Sequence, residues 1–405
     1  MDAEVVAVGS ELLLGQIVDT NSATIGRHFA EIGLNLFYKT TVGDNLGRVT
    51  ACLRQALGRS DVVLTTGGIG PTEDDITREA VAGATDRELV FHEDLWQKIQ
   101  AFFESRGVKA SESNRRQAWI PAGAIIVENP VGTAPAFILE HRGRTVITLP
   151  GVPREMEYLL RSRVLPYLRE RYGIKGEIRL RVLKVVGLGE SRVGERIADF
   201  MVKAGNPTVG TLAHLGQVDV RIAAKADDPA AAERLIAPIE AEIRARLGDA
   251  VFGADAETLE SVIAGRLGTP GGRVALVEVG TAGAATERLA AAVPESLAAG
   301  LVAASPRGLD ALGVDFGAID GPLERATAAA SAVARWAGVD VGAAVWLEDL
   351  PGSAPPIVRA AVAVSVRGRP AGHEHRVGGD RASVRIRAAT LLLDEIRRAL
   401  PGAGS

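Results

Sequence analysis

Apolar segments of strand length alternate with amphipathic segments of helical length through the first 66 residues. The predicted strands are Ala3–Gly9, Asn35–Val42 and Asp61–Thr66. The predicted helices are Asn21–Ile32 and Leu46–Leu57. We expect Thr20 or Asn21 to cap the first helix, because short polar side chains accept hydrogen bonds from a first turn. This order indicates a parallel sheet with helices on both faces, whose ligand sites lie at the carboxyl ends of the strands.

The patterning changes twice along the 405 residues, and a chain of this length suits more than one domain. We predict an α/β domain with a parallel sheet over residues 1–172, a small α+β module over 173–252, and a third α/β domain over 253–405. The third domain is rich in alanine, and its predicted helices and strands alternate up to a final helix over Ala382–Leu400.

Composition and charge exclude several classes of protein. The formal net charge of −4 provides no overall basic field that would attract nucleic acid. The single cysteine, Cys52, excludes an intrachain disulfide and a Cys-rich zinc site. The N-terminus lacks the basic region of a signal peptide, and no run of about 18 uncharged apolar residues could span a membrane. We therefore expect a cytoplasmic protein without a membrane partner.

A polar loop follows each of the three predicted strands. Glu11 comes after the first strand, Asp44 after the second, and the segment Gly67–Arg78 after the third. Glycines in that segment let the backbone approach a ligand closely. Because the carboxyl ends of parallel strands share one edge of a sheet, we expect these loops to lie together.

The acidic residues of the third loop permit two interpretations. We expect Thr72, Asp74 or Asp75 to cap the next helix, whose free N–H groups favour an anion such as phosphate. Carboxylates beside an anion need a counter-charge, and a divalent metal ion bridging Asp44 and Asp75 to phosphate oxygens would provide it. The alternative is that Glu73, Asp74 and Asp75 are ordinary acids of a first helical turn and that the glycines only make a tight turn.

Two further loops of small residues occur later in the first domain. Asn129–Pro135 and Leu149–Pro153 are both rich in proline and glycine. Either segment could be a turn and nothing more. Beside the acidic loops, we expect Gly132, Thr133 and Gly151 to help wall a nucleotide-sized pocket.

The polar loops of the first domain have the sequences GSELLLGQIVDTN, TTVGDN, TTGGIGPTEDDITRE, NPVGTAP and LPGVPREM, in that order. They resemble the first domain of the CinA family of competence/damage-inducible proteins, and the middle module is similar to that family through VVGLGES and NPTVGTL. The resemblance implies the molybdopterin-binding fold, ADP-ribose pyrophosphatase activity that depends on a divalent metal ion, and a homodimer. It also matches Asp44 and Asp75 to the functional acids after the second strand and after the glycine-rich turn.

We therefore predict an enzyme that hydrolyses the pyrophosphate of ADP-ribose or a similar nucleotide. Asp44 and Asp75 are expected to hold a divalent metal ion, and Glu11 or Asp74 is expected to orient water as general base. The predicted ligand-binding residues are Asp19, Asn21, Gly67, Gly68, Gly70, Thr72, Gly132, Thr133 and Gly151. The alternative is a protein that binds a pterin or a nucleotide without turnover.

The end of the chain resembles the carboxyl-terminal domain of the same family, which in active members is a nicotinamide-nucleotide amidohydrolase. Val279 stands at the position of the serine nucleophile, and Ala304 stands at the position of the partner tyrosine. The glycine-rich loop of active members is replaced by Val345–Gly352. Thr281 and Ser305 lie nearby in sequence without a recognisable base. We predict that this domain does not deamidate nicotinamide nucleotides.

Two further patterns are interpreted as structural. His373 and His375 would point to one face of a strand and could bind a metal ion, but their neighbours are typical of an exposed polar loop. Arg179 and Arg181 share a predicted strand face, and Gly173–Gly176 has the Gly-x-x-Gly pattern of an RNA-binding KH clamp. Because that segment leads into a strand, we interpret the arginines as a solvated face and expect no nucleic acid partner.

Overall fold

The computed structural model of the chain describes residues 1–203, 205–268, 272–350 and 357–401. The chain forms two units, one of Met1–Arg179 with Ala224–Arg234 and the other of Leu180–Ala223 with Leu235–Ser405. The strands are β1 (Asp2–Val8), β2 (Asn35–Val42), β3 (Val62–Thr66), β4 (Leu89–Phe91), β5 (Trp119–Pro121), β6 (Ile125–Val127), β7 (Ala136–His141), β8 (Arg144–Leu149), β9 (Glu177–Val186), β10 (Thr208–His214), β11 (Gln217–Ala226), β12 (Val251–Ala254), β13 (Val274–Val279), β14 (Leu297–Ala303), β15 (Val341–Asp349), β16 (Ile357–Val366) and β17 (Arg369–Gly378). The helices are α1 (Ser10–Leu13), α2 (Thr20–Glu31), α3 (Leu46–Arg59), α4 (Thr77–Ala84), α5 (Glu93–Glu104), α6 (Pro153–Leu159), α7 (Leu165–Tyr172), α8 (Glu190–Val202), α9 (Pro229–Leu247), α10 (Leu259–Leu267), α11 (Ala284–Ala292), α12 (Pro322–Ala337) and α13 (Arg381–Ala399).

A six-stranded sheet organises the first unit. Its strand order is β2-β1-β3-β8-β7-β6, and β2, β1, β3 and β8 are parallel. The sequence predicted this arrangement for β1, β2 and β3. β7 runs antiparallel to both of its neighbours. Val5 and Leu64 belong to the core on one face, whereas Val6 and Val63 belong to the core on the other. Strands buried on both faces need apolar side chains at successive positions, which explains the continuous apolar segments of the sequence.

The first long helix is capped earlier than predicted. The Asp19 carboxylate accepts a hydrogen bond from the Ser22 N–H at 2.9 Å, as expected of one of the best capping side chains. Thr20 and Asn21 therefore lie inside α2, and the prediction that one of them caps it was wrong. This placement leaves the Asn21 amide available to the site described below.

The middle residues form a four-stranded sheet with the order β10-β11-β9-β12. Its basic side chains are paired with acids, since Arg179 lies 3.6 Å from Glu177 and Arg181 lies 3.4 Å from both Glu240 and Asp255. Partly exposed ion pairs of this kind agree with a solvated strand face. The Gly-x-x-Gly segment ends α7 and leads into β9, so it does not join two helices.

A five-stranded sheet with the order β14-β13-β15-β16-β17 completes the second unit. β14, β13 and β15 are parallel, and α12 contributes to the core on one face while α10, α11 and α13 contribute to the other. Val186 and Phe252 of the middle residues belong to the same core as Leu276 of β13. The division into three domains stays a prediction. Over the described ranges, no helix is long and apolar enough to cross a membrane.

The segment predicted as an exposed polar loop is a strand. β17 pairs antiparallel with β16 and forms an edge of the sheet, where most of its side chains are exposed. Such a strand lacks the alternation of apolar residues from which a strand is predicted, so the prediction was wrong. His373 lies 3.0 Å from Glu395, and burial lowers the pKa of His375. In the part of the chain that the structure describes, no group of three or more His, Cys, Asp and Glu could hold a metal ion.

Candidate functional site

A cavity of about 480 Å³ lies at the carboxyl ends of the parallel strands of the first unit. Its walls come from the loops after β1, β2, β3 and β8 and from the loop between β6 and β7, which is where sheets of this type bind ligands. The predicted site residues that line it are Glu11, Asp19, Asn21, Asp44, Gly67, Gly68, Gly70, Thr72, Asp74, Asp75, Thr133 and Gly151. Gly132 lines a neighbouring cavity of about 400 Å³, which shares Thr133 with the first.

Two glycines after β3 are required by close contacts. Gly67 and Gly68 have φ angles of +100° and +69°, in the region that side chains disfavour. A Cβ on Gly67 would lie 2.3 Å from the carbonyl oxygen of Val8, and one on Gly68 would lie 2.2 Å from Oγ1 of Thr77. The loop therefore packs against β1 and α4 only because these positions have no side chain.

The acidic segment forms a turn of its own before the next helix begins. Oδ2 of Asp75 accepts hydrogen bonds from the N–H and the hydroxyl of Thr72, at 2.8 and 2.5 Å. α4 begins at Thr77 without a side-chain cap, so the prediction that Thr72, Asp74 or Asp75 caps this helix was wrong. The Thr77 N–H donates to the carbonyl of Gly68 at 2.9 Å. The first N–H of α4 is therefore used within the fold and is not free to bind a ligand.

A buried arginine that the sequence analysis left without a role holds the glycine-rich loop. Arg78 is 1% exposed, and its guanidinium donates to the carbonyls of Ile69 and of Gly70, the latter at 2.8 Å. Burial lowers the pKa of Arg78 to about 10, so the side chain stays protonated at neutral pH. Arginines in helical segments are usually exposed, so the sequence offered no signal for this contact.

Two sets of hydrogen bonds join the loops around the cavity. The Ser10 N–H donates to Oδ2 of Asp44 at 2.7 Å, and the Asp44 N–H donates to Oγ of Ser10 at 3.1 Å. Nδ2 of Asn21 donates to Oγ1 of Thr66 at 3.0 Å and to the carbonyl of Gly151 at 2.8 Å. Oδ1 of Asn21 is buried without a partner among the described residues. Because buried acceptors are rarely left unpaired, this oxygen is a candidate acceptor for an ordered water or a ligand group that enters the cavity.

Two further carboxylates of the cavity have pKa values shifted in opposite directions. The Thr72 hydroxyl and its own backbone N–H lower the pKa of Asp74, which is exposed. Burial raises the pKa of Glu155, which is half-buried and accepts a hydrogen bond from Nδ2 of Asn129 at 2.5 Å. The sequence analysis did not select Glu155, although it lies in the LPGVPREM segment that was recognised as a wall of the pocket.

Asp44 and Asp75 line the same cavity and are the candidates to hold a divalent metal ion together with substrate oxygens or water. One oxygen of Asp44 is already hydrogen-bonded to Ser10, and one oxygen of Asp75 to Thr72, which leaves the second oxygen of each as the candidate ligand. Magnesium sites are commonly built from one or two carboxylates together with substrate phosphates. The described residues contain no larger group of His, Cys, Asp and Glu suited to a metal ion. The metal ion itself stays a prediction.

Apolar side chains fill the corresponding edge of the C-terminal sheet. Val279, at the end of β13, is 4% exposed and lies opposite Trp346 of β15 in the parallel register. The Thr281 hydroxyl, for which the sequence showed no recognisable base, donates to Oε2 of Glu278 at 2.6 Å. Both residues are buried, and Glu278 also accepts two N–H groups at the start of α11. The carboxylate therefore caps a helix, and the Thr281 hydroxyl is not accessible to a substrate.

The other degenerate positions also lack reactive groups. Ala304 is exposed just after β14 and has no hydroxyl to offer. The first part of the segment Val345–Gly352 continues β15, where Trp346 packs against Phe316 with ring centroids 5.6 Å apart. Pro351 and Gly352 lie outside the described residues. The loss of amidohydrolase activity stays a prediction.

Comparisons with known proteins find two family models and several relatives that match this chain. A family model described as "Probable molybdopterin binding domain" matches residues 4–170, and one described as "Damage-inducible protein CinA KH domain" matches residues 180–253. A CinA-like protein from Kosmotoga olearia is 38% identical and covers 99% of both chains. A putative competence-damage inducible protein from Caldicellulosiruptor saccharolyticus is 43% identical over 70% of this chain and 68% of its own. A crystal structure of the protein CinA from Thermoplasma acidophilum is 38% identical over 41% of this chain and 96% of that chain, with a TM-score of 0.39.

These matches define the class of the first unit and then the family of the chain. The six-stranded sheet with its glycine-rich loop is an α/β domain of the molybdopterin-binding type. The chain belongs to the CinA family, as its loop motifs predicted, because a relative aligned over nearly its whole length is 38% identical.

Proposed function

We propose that the first unit hydrolyses the pyrophosphate of ADP-ribose or of a similar nucleotide. The observation that supports this function best is the convergence of five loops, including the acids Asp44 and Asp75, on one cavity of about 480 Å³. A volume of this size suits a small-molecule ligand. The glycine-rich loop exposes backbone N–H groups suited to phosphates, and Oδ1 of Asn21, which has no partner among the described residues, is suited to a hydroxyl.

Each part of the cavity has a separate role in this proposal. The glycine-rich loop with Thr72 would contact the phosphates, and Arg78 keeps that loop in place. Asp44 and Asp75 would hold a divalent metal ion, which when bound neutralises charge on the phosphate oxygens. Asn21 would orient the substrate, since its Oδ1 can accept a hydrogen bond from a ribose hydroxyl.

Binding of a pterin or a nucleotide without turnover is the second candidate. The description of the family model that matches residues 4–170, "Probable molybdopterin binding domain", favours it. Both functions use the same cavity and the same loops. They differ only in whether a bound pyrophosphate is cleaved.

Product analysis on the full chain separates the two functions. The metal-stripped protein is incubated with ADP-ribose in the presence of EDTA, or of magnesium, manganese or cobalt, and AMP is quantified by chromatography. We expect AMP and ribose 5-phosphate only when a divalent ion is added. If calorimetry shows that AMP or ADP-ribose binds but no condition releases product, the protein is a binder and the hydrolase proposal is wrong.

We also propose that the C-terminal sheet has no amidohydrolase activity, since Val279 and Ala304 offer no nucleophile and no phenol. A homodimer, a cytoplasmic location and the absence of a nucleic acid partner stay predictions from the sequence. Sedimentation of the purified chain tests the first of these, and a filter-binding assay with RNA and DNA tests the last.

A further inference from the structure

We propose that Glu155, in the first turn of α6, is the general base of this site and takes the proton from the attacking water. This inference rests on the proposed hydrolysis of a nucleotide pyrophosphate and deepens it by naming the proton acceptor. From the sequence, Glu11 and Asp74 were the candidates for this role. The structure shows a third carboxylate on the same cavity that is held in one position by its neighbours.

The loop between β6 and β7 orients the Glu155 carboxylate. Nδ2 of Asn129 donates to Oε2 of Glu155 at 2.5 Å and to the carbonyl of Ala134 at 3.0 Å. Oδ1 of Asn129 accepts the N–H of Val131 at 3.1 Å, so both ends of the amide are fixed by the loop. A base oriented by a third group that is itself held in place is the arrangement expected of proton-transfer sites.

Gly132 leaves the space that this carboxylate occupies. A Cβ on Gly132 would lie 2.0 Å from Oε2 and 2.5 Å from Oε1 of Glu155. The absence of a side chain is therefore required by the close approach of the carboxylate. The small residues of the loop, which the sequence analysis could only describe as a pocket wall, are shaped around one acid.

The surroundings make Glu155 a better proton acceptor than Asp74. Burial raises the pKa of Glu155, and the hydrogen bond from Asn129 and the positive charge of Arg154 oppose that shift. Asp74 is exposed and has a lowered pKa. A general base is most effective when its pKa approaches the working pH, because a weakly basic carboxylate has little affinity for the proton.

Other charged groups surround Glu155 on both sides of the loop. The carboxylates of the same cavity are Glu11, Asp19, Asp44, Asp74 and Asp75. The charged residues of the neighbouring cavity, which shares Thr133, are Lys98, Glu128 and Arg163. Of these surroundings, burial has the largest effect on the pKa of Glu155 and raises it, whereas the positive charge of the adjacent Arg154 lowers it.

The proposed step conserves atoms and electrons without another reactant. The water oxygen forms a bond to one phosphorus of the pyrophosphate, and the bond from that phosphorus to the bridging oxygen breaks. The bridging oxygen leaves with the bonding electron pair as part of the second phosphate. Glu155 accepts the proton that the water loses, and ADP-ribose yields AMP and ribose 5-phosphate.

A pH profile of five full-length variants tests the assignment. The variants are Glu155→Gln, Glu155→Asp, Glu11→Gln, Asp74→Asn and the control Glu157→Gln. Glu157 lies on the same helix, and its carboxylate is 3.5 Å from His28. AMP release from ADP-ribose is measured from pH 5 to pH 9 at saturating divalent metal, with kcat and KM determined separately. Circular dichroism and the Kd for AMP establish that each variant is folded and binds.

We expect Glu155→Gln to lower kcat by about 10²–10⁴-fold with little change in KM or in the Kd for AMP. The wild-type rate should fall as the pH drops through the raised pKa of Glu155, because the protonated carboxyl cannot accept a proton. Glu155→Gln should lack this fall, Glu155→Asp should retain it at a lower rate, and Glu157→Gln should match the wild type. A role limited to packing would leave the shape of the pH profile unchanged.

Three results would overturn the assignment, and they are distinguishable. If the wild type releases AMP and Glu155→Gln keeps the wild-type rate and profile, Glu155 is not the base, and the proposed hydrolysis stands. If the fall in rate at low pH disappears in Glu11→Gln or Asp74→Asn but persists in Glu155→Gln, the general base is that other residue. If the wild type releases no AMP with any metal ion, the proposed function fails, and the assignment fails with it.

Discussion

The carboxyl ends of the parallel strands form one edge of the six-stranded sheet (the first edge) and one edge of the five-stranded sheet (the second edge). The backbone turns in a similar way at both edges, but the side chains differ. After β3, the backbone turns through two glycines with positive φ and leaves a cavity of about 480 Å³ lined by several carboxylates. After β13, the backbone also turns through two glycines with positive φ, Gly280 and Gly283. There Val279 and Trp346 are buried, and the carboxylate of Glu278 accepts three hydrogen bonds.

The difference shows what turns a strand end into a site. The carboxyl end of a parallel strand is a place where a ligand can bind. Catalysis there also requires polar groups whose hydrogen bonds are not already used to stabilise the fold. At the first edge, Oδ1 of Asn21 is unpaired among the described residues, and Glu155 faces the cavity. At the second edge, the buried Glu278 carboxylate accepts hydrogen bonds from the Thr281 hydroxyl and from the first turn of α11. Its hydrogen bonds therefore stabilise the fold.

The largest expected effect tests whether the first edge depends on its acids. Asp44→Asn and Asp75→Asn should each lower AMP release from ADP-ribose about 100-fold or more, because even the loss of a residue that only orients a metal ligand costs about 10–100-fold. Asparagine can still accept the hydrogen bonds from Ser10 and Thr72, so the fold should be retained. Full activity of either variant at saturating metal, beside a normal Glu157→Gln control, would remove these acids from the site.

The glycine turn of the first edge is tested by a matched pair of substitutions. Gly68→Ala should destabilise the chain by about 1–2 kcal/mol for the left-handed backbone, and further because the Cβ would collide with Thr77. Gly58→Ala should stabilise it by about 0.5–1 kcal/mol, since Gly58 lies in α3 with no atom near the added Cβ. Urea unfolding measures both changes. Equal stability of the two variants would show that the turn tolerates a side chain.

A substitution of Arg78 tests whether its hydrogen bonds to the glycine-rich loop are needed for ligand binding. Arg78→Lys should cost about 1–3 kcal/mol, since a lysine cannot reproduce both hydrogen bonds to Ile69 and Gly70, and it should weaken AMP binding. Arg59→Lys is the control, because Arg59 also pairs with a buried carboxylate, Glu4, and does not line the cavity. Calorimetry with AMP should separate the variants. Unchanged affinity in Arg78→Lys would limit this arginine to a role in stability.

The smallest expected effect concerns the second edge. Val279→Ser in the full chain should leave nicotinamide mononucleotide deamidation undetected, because the new hydroxyl would be buried beside Trp346 without a base. It should also lower stability by about 1–3 kcal/mol for a buried polar group without a partner. Ammonia release measures the activity. Turnover above about 1 s⁻¹, the low end for ordinary enzymes, would show that the second edge is still a catalytic site.

Regular elements with buried faces were predictable from the sequence. β2 has the predicted bounds, Asn35–Val42, because an apolar segment bounded by polar residues marks both of its ends. β17 was missed because an exposed edge strand has no such period. The cap of α2 and the start of α4 differ from their predicted positions. Several adjacent polar residues can cap each helix, and local turns decide where the helix begins.

The sequence by itself determined the family, three parallel strands of the first sheet and the loops that meet at its edge. Motif order and apolar periodicity are local properties, so they can be read along the chain. Only the tertiary structure decided that Arg78 holds the glycine-rich loop. It also decided that Asn129 orients Glu155 in the space that Gly132 leaves. In the C-terminal sheet, it decided that the Glu278 carboxylate caps a helix. Burial and partnership between residues far apart in sequence set the charge and the availability of a side chain, and no local pattern records them.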